Sequence, residues 1–282
     1  MDKNLRRWLT LFLVITVIVL VFVMRTILAR DGTLPRLFDL FDTFIALGSL
    51  VVVMVGRHTL SRVDWLVGLG AGLLVGVLLP FSTLYNPYPF FEIVTDLRGR
   101  AVVNGIMTMV TAMGGLVIMH WGGPVRVTVT TMGWRQSGRS LLFGAAVGLP
   151  FAVLNGFANA WTQNRPITWQ NPLAAVVDAI HPAVIEEVIY RLAFLGLLWL
   201  LFRRDWSNRQ AIMLAGLLAL LTHTYSHYSD LFLTQPLTAL GMGAVMAFIW
   251  GIPPTLLAVR RDLESAVSFH WIQDAIRFWL GF

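Results

Sequence analysis

Residues 65–91, 101–125, 141–164, 210–229 and 231–259 contain no Asp, Glu, Lys or Arg. Uncharged runs of about 18 residues or more are long enough to cross the hydrocarbon core of a bilayer as helices, which satisfy their own backbone hydrogen bonds where no water can. A chain with so many of them reads as a polytopic membrane protein. Composition agrees: of 282 residues 57% are hydrophobic and only 13% charged, with mean hydropathy +0.72, whereas soluble domains are roughly a quarter charged. This excludes a soluble enzyme, a disordered chain and a nucleic-acid-binding domain, so the net charge of +6 and the pI near 10.5 are read as topology signals. There is no cysteine, which removes disulfides, thiolate metal sites and cysteine nucleophiles. Chemistry must then come from Ser, His, Asp, Glu or a metal held by nitrogen and oxygen.

The first apolar stretch, Trp8 to Met24, follows Lys3, Arg6 and Arg7 as a signal peptide would, but it is long for that role and reaches Arg25 without a small-residue cleavage site. It is read as an uncleaved anchor. Further spans are expected near 37–56, 65–84, 101–121, 141–161, 173–200, 211–229, 236–258 and 262–280. The expected fold is therefore all-α, a transmembrane helical bundle of eight or nine spans. With the N-terminus cytoplasmic, thirteen Lys and Arg fall in inner segments and six (Arg25, Arg30, Arg36, Arg98, Arg100 and Arg165) in outer ones, as the positive-inside bias requires. Trp8, Trp65, Trp121, Trp161 and Trp199 stand near span ends, where interfacial anchors belong.

Ionisable side chains inside a span cost several kcal/mol by typical estimates and are functional candidates by default. Here they gather in the last third of the chain. In the sixth span, Arg191 is four residues after Glu187 and shares its helix face, whereas it lies about 140° around the axis from Glu186. Glu187 is expected to be neutralised by Arg191, which leaves Glu186 to address something else. His223 lies within the seventh span, and His227 is one turn further on, next to Asp230. A lone histidine in an apolar helix is most often a hydrogen-bonded core residue, so His227 is left between that role and a functional one. In the ninth segment His270 and Asp274 share a face at i,i+4, the spacing at which a carboxylate orients an imidazole. At 1.5 Å per residue, Glu186, His223 and His270 lie about 21, 18 and 12 Å from the inner ends of their spans, a spread that tilt can absorb. One glutamate and two histidines converging in a water-accessible pocket suggest activation of water, with or without a metal, and hence hydrolysis.

These residues resemble the motifs of the CAAX protease and bacteriocin-processing (CPBP, or Abi) intramembrane proteases, a family that includes the eukaryotic Ras-converting endopeptidase. Glu186, Glu187 and Arg191 match Glu-Glu-x-x-x-Arg. His223 matches the histidine of Phe-x-x-x-His, with Ala219 where the aromatic residue would stand. His270 and Asp274 match His-x-x-x-Asn/Asp, preceded by the similar run Arg260-Arg-Asp-Leu-Glu-Ser-Ala266. The resemblance spans roughly residues 135–280, so residues 135–282 are expected to form the protease core and residues 1–134 to be N-terminal transmembrane helices of unassigned role. It implies an endopeptidase of the bacterial plasma membrane acting on a membrane-associated protein or peptide within the lipid bilayer. It further implies that Glu186 and His223 activate water while His270 and Asp274 stabilise the oxyanion or bind substrate. For the cofactor, zinc held by Glu186, His223 and His270 stands against a metal-free glutamate mechanism, and the lack of a His-Glu-x-x-His pair favours the latter. Two other classes remain: a non-proteolytic immunity or assembly factor on the same fold, and a proton-coupled transporter, although no inverted repeat supports transport.

Overall fold

The computed structural model describes residues 2–30 and 35–282, except the side chain of Arg30. Its α-helices of seven residues or more are α1 (Lys3–Arg30), α2 (Leu37–Gly56), α3 (Arg62–Leu78), α4 (Leu97–His120), α5 (Trp134–Thr162), α6 (Pro172–Asp178), α7 (Ile180–Glu186), α8 (Leu195–Phe202), α9 (Asn208–Ser226), α10 (Pro236–Met246), α11 (Ile252–Arg260) and α12 (Leu263–Trp279). Wider, π-type turns join α7 to α8 at Glu187–Phe194 and α10 to α11 at Ala247–Gly251. Among the described residues there is no strand, and an isolated bridge pairs Phe90 with Val94.

Polar residues placed between the apolar runs start the helices. Asp64 and Ser61 cap α3 reciprocally, Asp96 accepts from the Gly99 N–H at 2.8 Å, and Ser207 and Gln210 do the same work for α9. The start of α12 is held most firmly. Asp262 accepts from the Ser265 N–H at 2.8 Å and from the Ser140 hydroxyl at 2.7 Å, while Glu264 accepts from the backbone N–H groups of Thr128 and Val129. The Asp-Leu-Glu-Ser run thus sets the depth at which α12 presents His270.

Close helix contact does the rest. Gly144, Gly148, Ala152 and Gly156 form a buried small-residue row along α5, and a Cβ at Gly144 or Gly148 would run into the backbone of Ser265 or Phe269 on α12. On α9, Ala211, Ala215 and Ala219 form a second such row inside the main core, in the cluster that also holds Val188, Leu192 and Leu195 of the π segment and α8. Alanine at position 219 is 1% exposed within this cluster.

Six helical stretches are long and apolar enough to cross a membrane: Lys3–Ala29, Leu37–Thr59, Arg62–Phe81, Leu97–His120, Trp134–Thr162 and Pro236–Arg260. The stretches expected near 173–200, 211–229 and 262–280 are not among them. They hold the site, and its charged and polar residues dilute their apolarity, while α12 is 17 residues long and the helix over 211–229 ends at Ser226. Two local expectations are corrected. Arg25 does not end the first span: α1 continues past it, and its buried guanidinium pairs with Asp230. Trp199 is not an interfacial anchor, because it is 4% exposed and donates its indole N–H to Asn208 at 2.9 Å.

Candidate active site

The junction of α7 with the π segment carries three of the six site residues, Glu186, Glu187 and Arg191. Glu186 ends α7 and Glu187 begins the wider turn, and adjacent helical residues point roughly 100° apart. Their carboxylates therefore meet different partners. Glu186 Oε2 lies 2.8 Å from His223 Nε2, and Glu187 Oε1 lies 2.9 Å from His270 Nδ1. Arg191 Nε stands 3.4 Å from Glu187 Oε2, the i,i+4 pair expected from the sequence, but its guanidinium also reaches α9, where Nη1 is 2.7 Å from His223 Nδ1. Glu187 thus serves two partners rather than Arg191 alone.

Hydrogen-bond capacity assigns the protons. A guanidinium only donates, so His223 Nδ1 accepts from Arg191 and the ring proton sits on Nε2, from which it is donated to Glu186. Both nitrogens of His270 face carboxylates: Nδ1 faces Glu187, and Nε2 faces Asp274 Oδ2 at 3.3 Å and Glu186 Oε2 at 3.7 Å. Carboxylates only accept, so a doubly protonated ring satisfies both. Asp274 is held in turn by Arg277, whose Nη2 lies 2.9 Å from Oδ1. Three carboxylates (Glu186, Glu187, Asp274) are then matched by three cations (Arg191, Arg277, His270), the balance a low-dielectric site needs.

All of the expected site residues, Glu186, Glu187, Arg191, His223, His270 and Asp274, line one cavity of about 700 Å³. Its other walls are Asn155, Asn159 and Thr162 of α5 and an apolar row, Met242, Val245, Met246 and Ile249, along α10 and the following π segment. His227 also lines it, with Nε2 3.8 Å from Glu186 Oε2 and a side chain 48% exposed, against 7% for His223.

Several partners lie outside the sequence motifs. Tyr190 packs its ring 4.5 Å from that of His223 and donates its hydroxyl to Asp42 of α2 at 2.8 Å. Phe38, also on α2, meets His223 and His227 edge-on at 5.9 and 4.8 Å. These two rings also meet each other edge-on at 6.0 Å and pack around His223, and one comes from the N-terminal helices. Behind the site Tyr85 packs 5.1 Å from His181, and burial, with Glu186 and Asp274 nearby, holds its phenol above the usual range and neutral.

The donor chemistry also tests a metal. Among the described residues, the set of potential ligand atoms lying within 4.8 Å of one another is Glu186, His223 and His227, rather than the trio with His270 weighed as a zinc site. A neutral histidine that binds a cation through Nε2 keeps its proton on Nδ1 and donates it to an acceptor. His223 Nδ1 faces the donor Arg191 instead, so this set does not fit a cation.

Residues 168–276 match the family model described as type II CAAX prenyl endopeptidase Rce1-like, consistent with a CPBP family protease. The matched stretch contains all six motif residues and stops one residue before Arg277. Comparisons with curated proteins and with solved structures found no match.

Proposed function

We propose that this protein, an integral membrane protein with a CAAX-type peptidase domain over residues 168–276, is an intramembrane endopeptidase. In this reading it hydrolyses a peptide bond of a membrane-associated protein or peptide using water activated by Glu186, without a metal. The observation that carries the reading is the Arg191–His223–Glu186 chain: it fixes an N–H donor on Oε2 of a carboxylate that lines the cavity and leaves Oε1, without a hydrogen-bond partner among the described residues, for water. Glu186 takes a proton from that water as the oxygen attacks the scissile carbonyl. The negative charge that develops on the carbonyl oxygen is met by the His270 imidazolium, which lines the same cavity and whose Nε2–H is shared between Asp274 Oδ2, at 3.3 Å, and the oxyanion. Asp274 accepts and does not donate, so it positions His270, in place of the direct oxyanion contact that the resemblance implies. Glu187 and Arg191 hold the two histidines, and the apolar wall on α10 keeps bulk water from competing.

The core is assigned to residues 135–282, and the site-bearing helices α6–α8, α9 and α12 complete nine crossings, with the N-terminus cytoplasmic in a bacterial plasma membrane. The test is cleavage of a palmitoylated peptide library by protein reconstituted in liposomes, read by mass spectrometry. The wild type should cut a subset of peptides at one bond and Glu186→Gln should not. Equal cleavage by both, or none by the wild type, overturns the reading.

A further inference from the structure

Hydrolysis ends with a proton on the leaving nitrogen, because an amide nitrogen departs as an amine and not as an anion. The residues that activate water and hold the oxyanion are badly placed to deliver it. His223 is 7% exposed, has Nδ1 occupied by Arg191 and holds its one proton against Glu186. His270 has a carboxylate against each nitrogen, and losing its Nε2 proton would leave Glu186, Glu187 and Asp274 facing only two guanidiniums. His227 is different. It lies just past the end of α9, lines the cavity, and is 48% exposed, and its Nε2 stands 3.8 Å from Glu186 Oε2. Phe38 and His223 pack on its ring at 4.8 and 5.0 Å, which keeps Nε2 turned toward Glu186.

From this geometry we infer that His227 is a catalytic residue, the general acid that protonates the leaving amine. The inference rests on the peptidase reading above. In the first step a water O–H bond breaks, its proton goes to the open oxygen of Glu186, and the water oxygen bonds to the carbonyl carbon. A half-turn of the carboxyl about its Cγ–Cδ bond exchanges the two oxygens, so the protonated oxygen takes the place of Oε2 and Glu186 passes that same proton to His227 Nε2. The gap of 3.8 Å is one side-chain adjustment beyond hydrogen-bond length, of the kind that closes when substrate binds. On collapse the carbon–nitrogen bond breaks, its electron pair goes to nitrogen, and His227 gives that nitrogen the proton. One water is consumed, a carboxylic acid and an amine are formed, and Glu186 and His227 return to their starting states.

The test compares two leaving groups on the best palmitoylated peptide found in the library. One substrate keeps the scissile amide, and the other replaces its nitrogen with sulfur, giving a thioester whose thiolate leaves without a proton because a thiol ionises near pH 8.5. His227→Gln, and His227→Phe as a second variant that keeps a ring against Phe38, should lose about 100-fold in kcat on the amide and less than about threefold on the thioester. Glu186→Gln should lose both. Equal losses on the two substrates, or no loss on the amide, overturn the assignment of His227 while the peptidase reading stands. A wild type that hydrolyses neither substrate overturns both.

Discussion

Arg191 on the π segment donates from Nη1 to Nδ1 of His223 on α9 at 2.7 Å, and that contact decides which side of the imidazole carries the proton. Because guanidinium has no lone pair to offer, His223 presents N–H rather than a lone pair to Glu186. A wider π turn at this point is a recurring feature of functional sites, where it re-aims side chains that a regular helix would stack.

The first prediction concerns the base. Glu186→Gln retains shape and hydrogen-bond capacity but cannot take a proton, so kcat should fall about 10²- to 10⁴-fold while accumulation in the membrane stays normal. Steady-state cleavage alongside quantitative immunoblotting of membrane fractions measures both. Residual activity within tenfold of wild type would remove Glu186 from the role of base.

The second concerns metal. With His223 Nδ1 held by Arg191, activity of the purified protein should survive exhaustive chelation, and elemental analysis should find less than stoichiometric zinc. Activity lost to a chelator and restored by zinc would show instead that His223 reverses its tautomer in the working enzyme.

The third concerns the buried ion pair. Glu187 and Arg191 are almost wholly removed from solvent, and removing one partner strands the other charge, at a typical cost of about 3–5 kcal/mol. Arg191→Ala should therefore melt at lower temperature and accumulate less, besides losing activity. Arg191→Lys should be intermediate, since a lysine ammonium keeps the charge but cannot span Glu187 and His223 as a planar fork does. An Arg191→Ala protein with unchanged thermal unfolding would contradict the pairing.

The fourth concerns Asp274 and Arg277. If Arg277 serves to neutralise Asp274 beside the oxyanion, Arg277→Gln should lower kcat by about tenfold or more, each tenfold being about 1.4 kcal/mol of barrier. Adding Asp274→Asn should recover most of that loss, because the uncompensated charge is gone. A double-mutant cycle reads this coupling directly, and strictly additive losses would mean that the two residues act independently.

Much of this protein is legible before any folding. Membrane residence follows from the charge-free runs, because apolarity summed along a window needs no knowledge of neighbours. The pairs Glu187–Arg191, His270–Asp274 and Asp274–Arg277 are equally written in the chain, since i,i+3 and i,i+4 residues share a face in any helix. That Glu186 and Glu187 take different partners also follows from helix geometry. Which partners they take does not. Glu186 with His223, Glu187 with His270, Arg191 with His223 and Tyr190 with Asp42 are contacts between helices 37, 83, 32 and 148 residues apart. They depend on how far each helix slides and turns against the next, which is set by the glycine row of α5, the alanine row of α9 and the capped start of α12. For the same reason Phe38 could not be assigned to the site from its own segment, nor Trp199 withdrawn from the membrane interface. The residue types establish what chemistry is available, whereas the proton on His223 and the approach of His227 to Glu186 exist only once the helices are packed, because each depends on which atom of a neighbouring helix comes close.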